Sequence, residues 1–273
     1  MSIERSGRRE MWGGSERVEL RHLESDKTPI DVLTCRWHPE KGIDSFSKLD
    51  GTVRFYNFVK AILLKVNAKD ILDFGAGRGE FWFDEKSNYR RYLRDLRTYG
   101  ANVTACDIDD AVRSHPCSHR QIVIRSGERL PFEDEAFDVI VSDMTFEHLE
   151  DVDHVARELL RILKFGGYIC ARTPNRFGYP RIISSLIPNR LHARVLRYIQ
   201  PDRRREDIFP TFYRVNSPAQ ARRAFKDCVI YHYYDSSEPA YFFGSNVLYG
   251  ALMLVHAILP PRLSTSVCFF IHK

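Results

Sequence analysis

An α/β fold, built on a mostly parallel sheet with helices on both faces, is predicted by three features of this sequence. From about residue 49 onward, short apolar runs alternate with segments of helical periodicity. The run FDVIVS (Phe137–Ser142) is apolar at most positions, as a central strand covered on both faces must be. The first such run, ILDF (Ile71–Phe74), leads directly into a glycine-rich turn.

In chain order, residues 1–48 are polar and broken by Gly13-Gly14, Pro29, Pro39 and Gly42, and read as a partly flexible arm. Leu49–Val66 places Val53, Phe55, Phe58, Val59, Ile62, Leu63 and Val66 at helical spacing and opens the main domain, residues 49–273. Strands are predicted at Asp70–Phe74, Asn102–Ile108, Gln121–Ile124, Phe137–Ser142, Tyr168–Arg172, Val229–Tyr234 and Val267–His272. Helices are predicted at Phe81–Arg97, just after Asp109, and at Val152–Leu163, Pro218–Phe225 and Ser245–Ile258. Two stretches exceed the alternation, 175–215 and 235–262, and both are placed to cap a ligand site.

Composition narrows the class. Of the 273 residues, 44% are hydrophobic and 28% charged, and the formal net charge is +5, values ordinary for a globular enzyme. The six cysteines show neither a CxxC pair nor a His/Cys cluster at ligand spacing, which predicts no disulfide framework, no metal and a cytoplasmic setting. The charged start MSIERSGRREMWGG lacks the apolar stretch of a signal peptide. Tyr241–Leu259 carries no Asp, Glu, Lys or Arg, but Gly244, Ser245, Asn246, Gly250 and His256 dilute it, so a buried or membrane-surface helix is expected rather than a span.

The chemistry concentrates at Ile71–Glu80, ILDFGAGRGE, where Gly75, Gly77 and Gly79 form GxGxG. Glycines there let a ligand lie against the peptide groups. Dinucleotide folds favour GxGxxG with an acid about 20 residues on; here Asp73 precedes the turn and the next strand-end acid is Asp107, in VTACDID. A carboxylate at that strand end can accept from both hydroxyls of a ribose, and Ile108 beside it can lie against an adenine face.

These residues resemble the class I S-adenosylmethionine-dependent methyltransferases, in particular the type 11 subgroup, across roughly Asp70–Asn175. RSGERLPFEDEAFDVIVSD (Arg125–Asp143), MTFEHLED (Met144–Asp151) and RELLRILKFGGYICARTPN (Arg157–Asn175) carry the resemblance further, as does the late strand pair. It implies a Rossmann-like seven-stranded sheet with an antiparallel last strand, and S-adenosyl-L-methionine as cofactor. It also implies that Gly75, Ala76, Gly77 and Gly79 lie under the cofactor's amino-acid portion, and that Asp73 orients its ammonium. Asp107 would hold the ribose, Gly127 and Glu128 the adenine turn, and Asp143 would face the cleft. Where the family shows Asp-Ala before the Glu, this chain has Ser126-Gly127, which leaves backbone rather than carboxylate contacts to adenine.

For the acceptor, His148 in EHL is the candidate base, with Glu147 and Tyr213 behind it. SDMT (Ser142–Thr145) replaces the Asn/Asp-Pro-Pro-aromatic motif of amino-methylating nucleic-acid enzymes, and Pro116-Cys117 follows the second strand rather than the fourth, so neither base-modifying chemistry is supported. Arg172–Arg214 holds ten arginines, three acids and no lysine. That charge suits a solvated face, an anionic or lipid-linked small molecule or glycan, or a membrane surface. O-methylation of a small molecule or glycan, with peripheral membrane contact, is the expected function; RNA methylation and a catalytically silent cofactor-binding scaffold are the alternatives.

Overall fold

The computed structural model of the protein describes residues 28–179, 210–239 and 242–273. Its seven described strands are β1 (Asp70–Phe74), β2 (Asn102–Asp107), β3 (Arg120–Val123), β4 (Phe137–Asp143), β5 (Leu163–Pro174), β6 (Val229–Asp235) and β7 (Ser266–His272). They form one sheet in the order β3-β2-β1-β4-β5-β7-β6. Only β7 is antiparallel to its neighbours, pairing Tyr168 with His272 at one end and Pro174 with Ser266 at the other.

Period-two alternation divides the central strands between two cores. Leu72, Ile140 and Ile169 face one side, where α6 (Val152–Ile162) covers them with Ala156, Leu159 and Ile162. Ile71, Val139, Val141 and Cys170 face the other, under α3 (Gly51–Lys65), whose Phe55, Val59 and Leu63 recur every fourth residue. All these side chains are essentially buried, which is why β1 and β4 read as continuous apolar runs.

The remaining helices are α1 (Pro29–Trp37), α2 (Lys41–Asp44), α4 (Phe81–Asp84), α5 (Asn88–Arg94), α7 (Pro218–Ala224) and α8 (Asn246–Ile258). Two expectations are corrected. Residues 28–48 are not a loose arm: Thr28 and Asp31 form a reciprocal capping box with Pro29 at the first helical position, and α1 and α2 follow. Trp37 Nε1 donates to Asn246 Oδ1 at 2.6 Å, and Lys41 pairs with Glu238 at 2.8 Å, so this arm is fastened to the α8 region. The single helix expected over Phe81–Arg97 is divided at Ser87, whose hydroxyl caps Arg90 N, while Asp44 accepts from Ser87 Oγ, Asn88 N and Tyr89 N. A carboxylate brought from α2 therefore restarts the helix where periodicity alone runs on.

β5 and β6 both end where β7 begins, at the carboxyl edge of the parallel strands. The segments after Pro174 and after Asp235 thus leave from the same edge as the glycine turn after β1. They meet there: Asn175 Nδ2 donates to Arg262 O at 2.8 Å and Ser264 O at 2.9 Å, and Tyr179 Oη lies 2.5 Å from His256 Nε2.

Candidate active site

At the end of β1 the chain turns under its own glycines. Gly75 N and Ala76 N both donate to Cys106 O, at 2.8 and 3.1 Å, and Gly77 N donates to Asp107 Oδ2 at 2.8 Å. All three loop glycines have positive φ, between 55° and 75°. Gly75 and Gly79 are also required by space. A Cβ would lie 2.3 Å from Thr145 at the first and 2.8 Å from Pro116 Cδ at the second. At Gly77 a Cβ would meet nothing within 4 Å, so the backbone there faces open space where a ligand can rest.

Asp107 closes the turn from β2, accepting Gly77 N on one oxygen and Asp109 N on the other at 2.9 Å. A carboxylate has roughly four acceptor sites, so about two stay available for a diol. Ile108, next along, is 54% exposed, an apolar side chain presented beside that diol site. Across the edge, Gly127 (φ +78°) gives the turn 125–128 its bend, and the Glu128 carbonyl accepts from His154 Nε2 at 3.0 Å. The Glu128 carboxylate is largely exposed and 3.6 Å from Arg125 Nη1, so this turn offers its backbone. Open backbone over Gly77, spare lone pairs on Asp107 and bare Ile108 together fit a ribosyl purine.

Beneath the loop lies a buried charged group that sequence reasoning only half identified. The carboxylate of Asp143, the acid expected to face the cleft, is paired with Arg172, which donates from Nε at 2.6 Å and Nη2 at 2.7 Å. Tyr56 Oη adds a 3.3 Å bond, and Arg172 also reaches Thr52 Oγ1 at 3.1 Å and lies over the Phe55 ring. Burial works to raise the Asp143 pKa, but the charge and hydrogen bonds of Arg172 overcome it and hold the group below the usual range. Arg172 is therefore no part of a basic face; an arginine inside the strand YICARTP was the available signal that a buried counter-ion exists. Nearby, burial and then the Asp143 charge push Asp73 up to about 7. His115 Nε2 is 4.0 Å from Asp73, but burial lowers the imidazole to about 4, so this contact is not an ion pair at neutral pH.

The loop after β4 carries the acceptor-side residues. Thr145 Oγ1 donates to Gly75 O at 3.3 Å, which places this loop against the glycine turn. Glu147 is buried, accepts from Thr173 Oγ1 at 2.9 Å, and burial raises its pKa. Its carbonyl accepts from Phe212 N at 2.7 Å and Tyr213 N at 3.2 Å, tying the returning segment 210–216 to the loop. His148 Nδ1 is 2.8 Å from Pro210 O, a group that can only accept, so Nδ1 carries the hydrogen and Nε2 is the basic nitrogen, 3.9 Å from Glu147 Oε1. Of the arginine-rich segment, Arg181, Arg190, Arg194, Arg197, Arg203, Arg204 and Arg205 lie outside the described residues; Arg214 is bound to the Glu150 carbonyl. Among the described residues no three His, Cys, Asp or Glu side chains gather as metal ligands.

A parallel sheet with a glycine turn after β1 and an acid ending β2 defines a nucleoside-binding α/β enzyme domain of the Rossmann-like kind. Residues 72–171, a little over a third of the chain, match the family described as a methyltransferase domain, type 11, of the class I S-adenosylmethionine-dependent kind. S-adenosylmethionine is the cofactor of that class. Over 113 residues (38% of this chain, 18% of the relative) it is 34% identical to a glycine/sarcosine/dimethylglycine N-methyltransferase of Actinopolyspora halophila. It is 29% identical over 155 residues to a demethylmenaquinone methyltransferase of Thermobifida fusca, covering 53% of this chain and 61% of that one. A malonyl-[acyl-carrier protein] O-methyltransferase of Methylococcus capsulatus is 31% identical over 109 residues, 38% of this chain and 36% of that one. The chain thus spans between about a fifth and three fifths of the length of these relatives, and each name carries a different acceptor.

Proposed function

We propose that this protein methylates a hydroxyl oxygen of a small molecule or glycan, anionic or lipid-linked, at the inner face of a membrane. The observation that carries the hydroxyl acceptor is the tautomer of His148, with its Nδ1 hydrogen donated to Pro210 O and its Nε2 basic, on the loop that abuts the glycine turn. The cofactor, when bound, supplies a methyl group already activated on a sulfonium. What the chain must do is align, exclude water and take the hydroxyl proton, which His148 Nε2 does while Glu147 stabilises the resulting imidazolium. His148→Gln keeps the size and is expected to lower kcat about 100-fold at neutral pH, with little change in S-adenosylhomocysteine affinity. Unchanged turnover would remove His148 from the reaction and, with it, the support for oxygen over nitrogen. Genomic neighbours of the gene supply acceptor candidates for that assay.

Asp73 is proposed to meet the cofactor's ammonium. Its folded-state pKa, about 7, exceeds the ordinary carboxylate value, so between roughly pH 4 and 7 the folded protein holds a proton the unfolded chain has released. By linkage the ligand-free protein loses stability at this site as pH rises through that window. Binding an ammonium favours the ionised carboxylate, so affinity for S-adenosylhomocysteine should rise from pH 6 to 8 with release of a proton. Calorimetry in buffers of different ionisation enthalpy reads that proton directly, and Asp73→Asn should flatten the profile. A flat wild-type profile would contradict the assignment.

The membrane part rests on α8. Among the described residues no helix is long and apolar enough to cross a membrane. Yet α8 carries no Asp, Glu, Lys or Arg and leaves Val247 83%, Leu254 64% and Ile258 71% exposed, with Ala251 exposed between them on one stripe. Such an uncharged stripe suits insertion into the interface of an anionic bilayer. Leu254→Glu combined with Ile258→Glu should abolish flotation with phosphatidylglycerol vesicles at unchanged S-adenosylhomocysteine affinity; wild-type protein that does not float would refute the membrane contact.

A further inference from the structure

The amino-acid end of the cofactor carries an ammonium and a carboxylate on one carbon, and an acid such as Asp73 answers only the first. Two donors that pack on Phe81, just past the glycine turn, have no hydrogen-bond acceptor among the described residues. Arg94, the last residue of α5, rests its guanidinium on the ring of Phe81, 4.4 Å from the centroid, and Phe81 opens the helix just past the glycine turn. Its Nε is buried without an acceptor, and among the described residues the guanidinium makes neither an ion pair nor a hydrogen bond. Its neighbours differ: Arg90 is held by Asp50 and Glu85, Arg91 by the Glu85 carbonyl and Arg97 by Asp95. Arg94 shares Phe81 with His115, whose ring centroid lies 6.2 Å from that of Phe81, and its positive charge pulls down the carboxyls of Asp73 and Asp143 against the burial that raises them.

The second donor is His115. It is buried, and its Nδ1 accepts from Cys117 N at 3.3 Å, which leaves the hydrogen on Nε2. That Nε2–H has no acceptor, and it lies 2.9 Å from where a Cβ on Gly79 would stand, directly against the turn. Buried donors are almost always satisfied, by protein, water or ligand, and an anion at the glycine turn would satisfy both of these.

We propose that Arg94 and His115 clamp the carboxylate of the cofactor's methionine end, one oxygen taken from the guanidinium and the other from the imidazole Nε2–H, with Asp73 on the ammonium. This rests on the cofactor site proposed above and adds the residues that make it select a zwitterion. The geometry also accounts for Gly79: a side chain there would cover the His115 donor.

Three ligands separate the parts: S-adenosylhomocysteine, its decarboxylated analogue S-adenosyl-3-thiopropylamine, and 5′-methylthioadenosine, which lacks the whole amino-acid end. Calorimetry on the full chain should show S-adenosylhomocysteine bound about 10- to 100-fold more tightly than the decarboxylated analogue. Arg94→Gln should erase most of that difference while leaving 5′-methylthioadenosine affinity at the wild-type value, which doubles as the test of folding. Arg94→Lys, charged but without the fork, should restore part of it. His115→Leu should act in the same direction, and decides the matter if Arg94→Gln does not fold. Wild-type discrimination retained in both Arg94→Gln and His115→Leu overturns the clamp. So does a wild-type protein that binds all three ligands equally, although the nucleoside site then stands. A wild-type protein that binds none of them overturns the cofactor site itself.

Discussion

Asp107→Ala is expected to weaken S-adenosylhomocysteine binding by on the order of 100-fold or more, the largest single loss at the cofactor site. Hydrogen bonds to a charged acceptor contribute about 1.5–3 kcal/mol each, and the proposed ribose contact uses two. The same change releases Gly77 N and Asp109 N, so the glycine turn loses the group that positions it. Asp107→Asn retains one acceptor oxygen but turns an amide toward one of these donors, and should fall between alanine and wild type. Titration calorimetry with S-adenosylhomocysteine and NAD reads both affinity and specificity. Wild-type affinity in Asp107→Ala, or a preference for NAD in the parent protein, would contradict the ribose role.

Arg172→Met should produce the largest loss of stability. The Arg172–Asp143 pair is bidentate and mostly buried, with the two side chains 12% and 10% exposed. Removing one member of such a pair leaves a charge without compensation and costs about 3–5 kcal/mol. At ~2–4 °C per kcal/mol for a domain of this size, the melting temperature should fall by on the order of 10 °C. The stranded Asp143 carboxylate would also lose the charge and hydrogen bonds that hold its pKa down. Arg172→Met with Asp143→Leu removes the charge along with its partner and should recover most of the loss. Thermal unfolding of the two variants checks this, and a single variant as stable as the double would show that the pair contributes little. Because the Asp143 pKa is lowered by Arg172 against the opposing effect of burial, its contribution is present at neutral pH and is lost as pH falls below the ordinary carboxylate value, about 4.

The two experiments probe different kinds of information. The Asp107 site was legible in the sequence because its parts are local: a strand, a glycine turn, and an acid ending the next strand. Gly75, Gly77 and Gly79 need φ values that few other residues adopt, so their spacing is a direct imprint of backbone shape. The Arg172–Asp143 pair was not legible. Both residues were named, one as part of a basic stretch and the other as a cleft acid, but their pairing depends on β4 lying beside β5 in a register that sets Asp143 opposite Arg172. His115 and Arg94 were missed for a related reason. An isolated histidine or one arginine among several on a polar helix carries no local mark of function, and that both pack on Phe81 beside the glycine turn is visible only in the folded chain.

What the amino-acid sequence determined by itself is whatever follows from near neighbours in the chain. Period-two apolar runs set the strands, fourfold recurrence set α3 and α6, and the glycines at 75, 77 and 79 set the turn that Asp107 closes. The capping box at Thr28 and Asp31 belongs with these, since TPID carries its signature although the polar composition around it pointed to a loose arm. Tertiary structure alone decided the rest. It divided the helix expected over 81–97, by bringing Asp44 onto Ser87, Asn88 and Tyr89. It joined Glu147 to Thr173, Phe212 and Tyr213, fixed the His148 tautomer through Pro210, and paired Asp143 with Arg172. The physical reason is common to all of them: a buried polar group must find a partner, and which partner lies within reach is a property of the packed chain, not of the residues beside it.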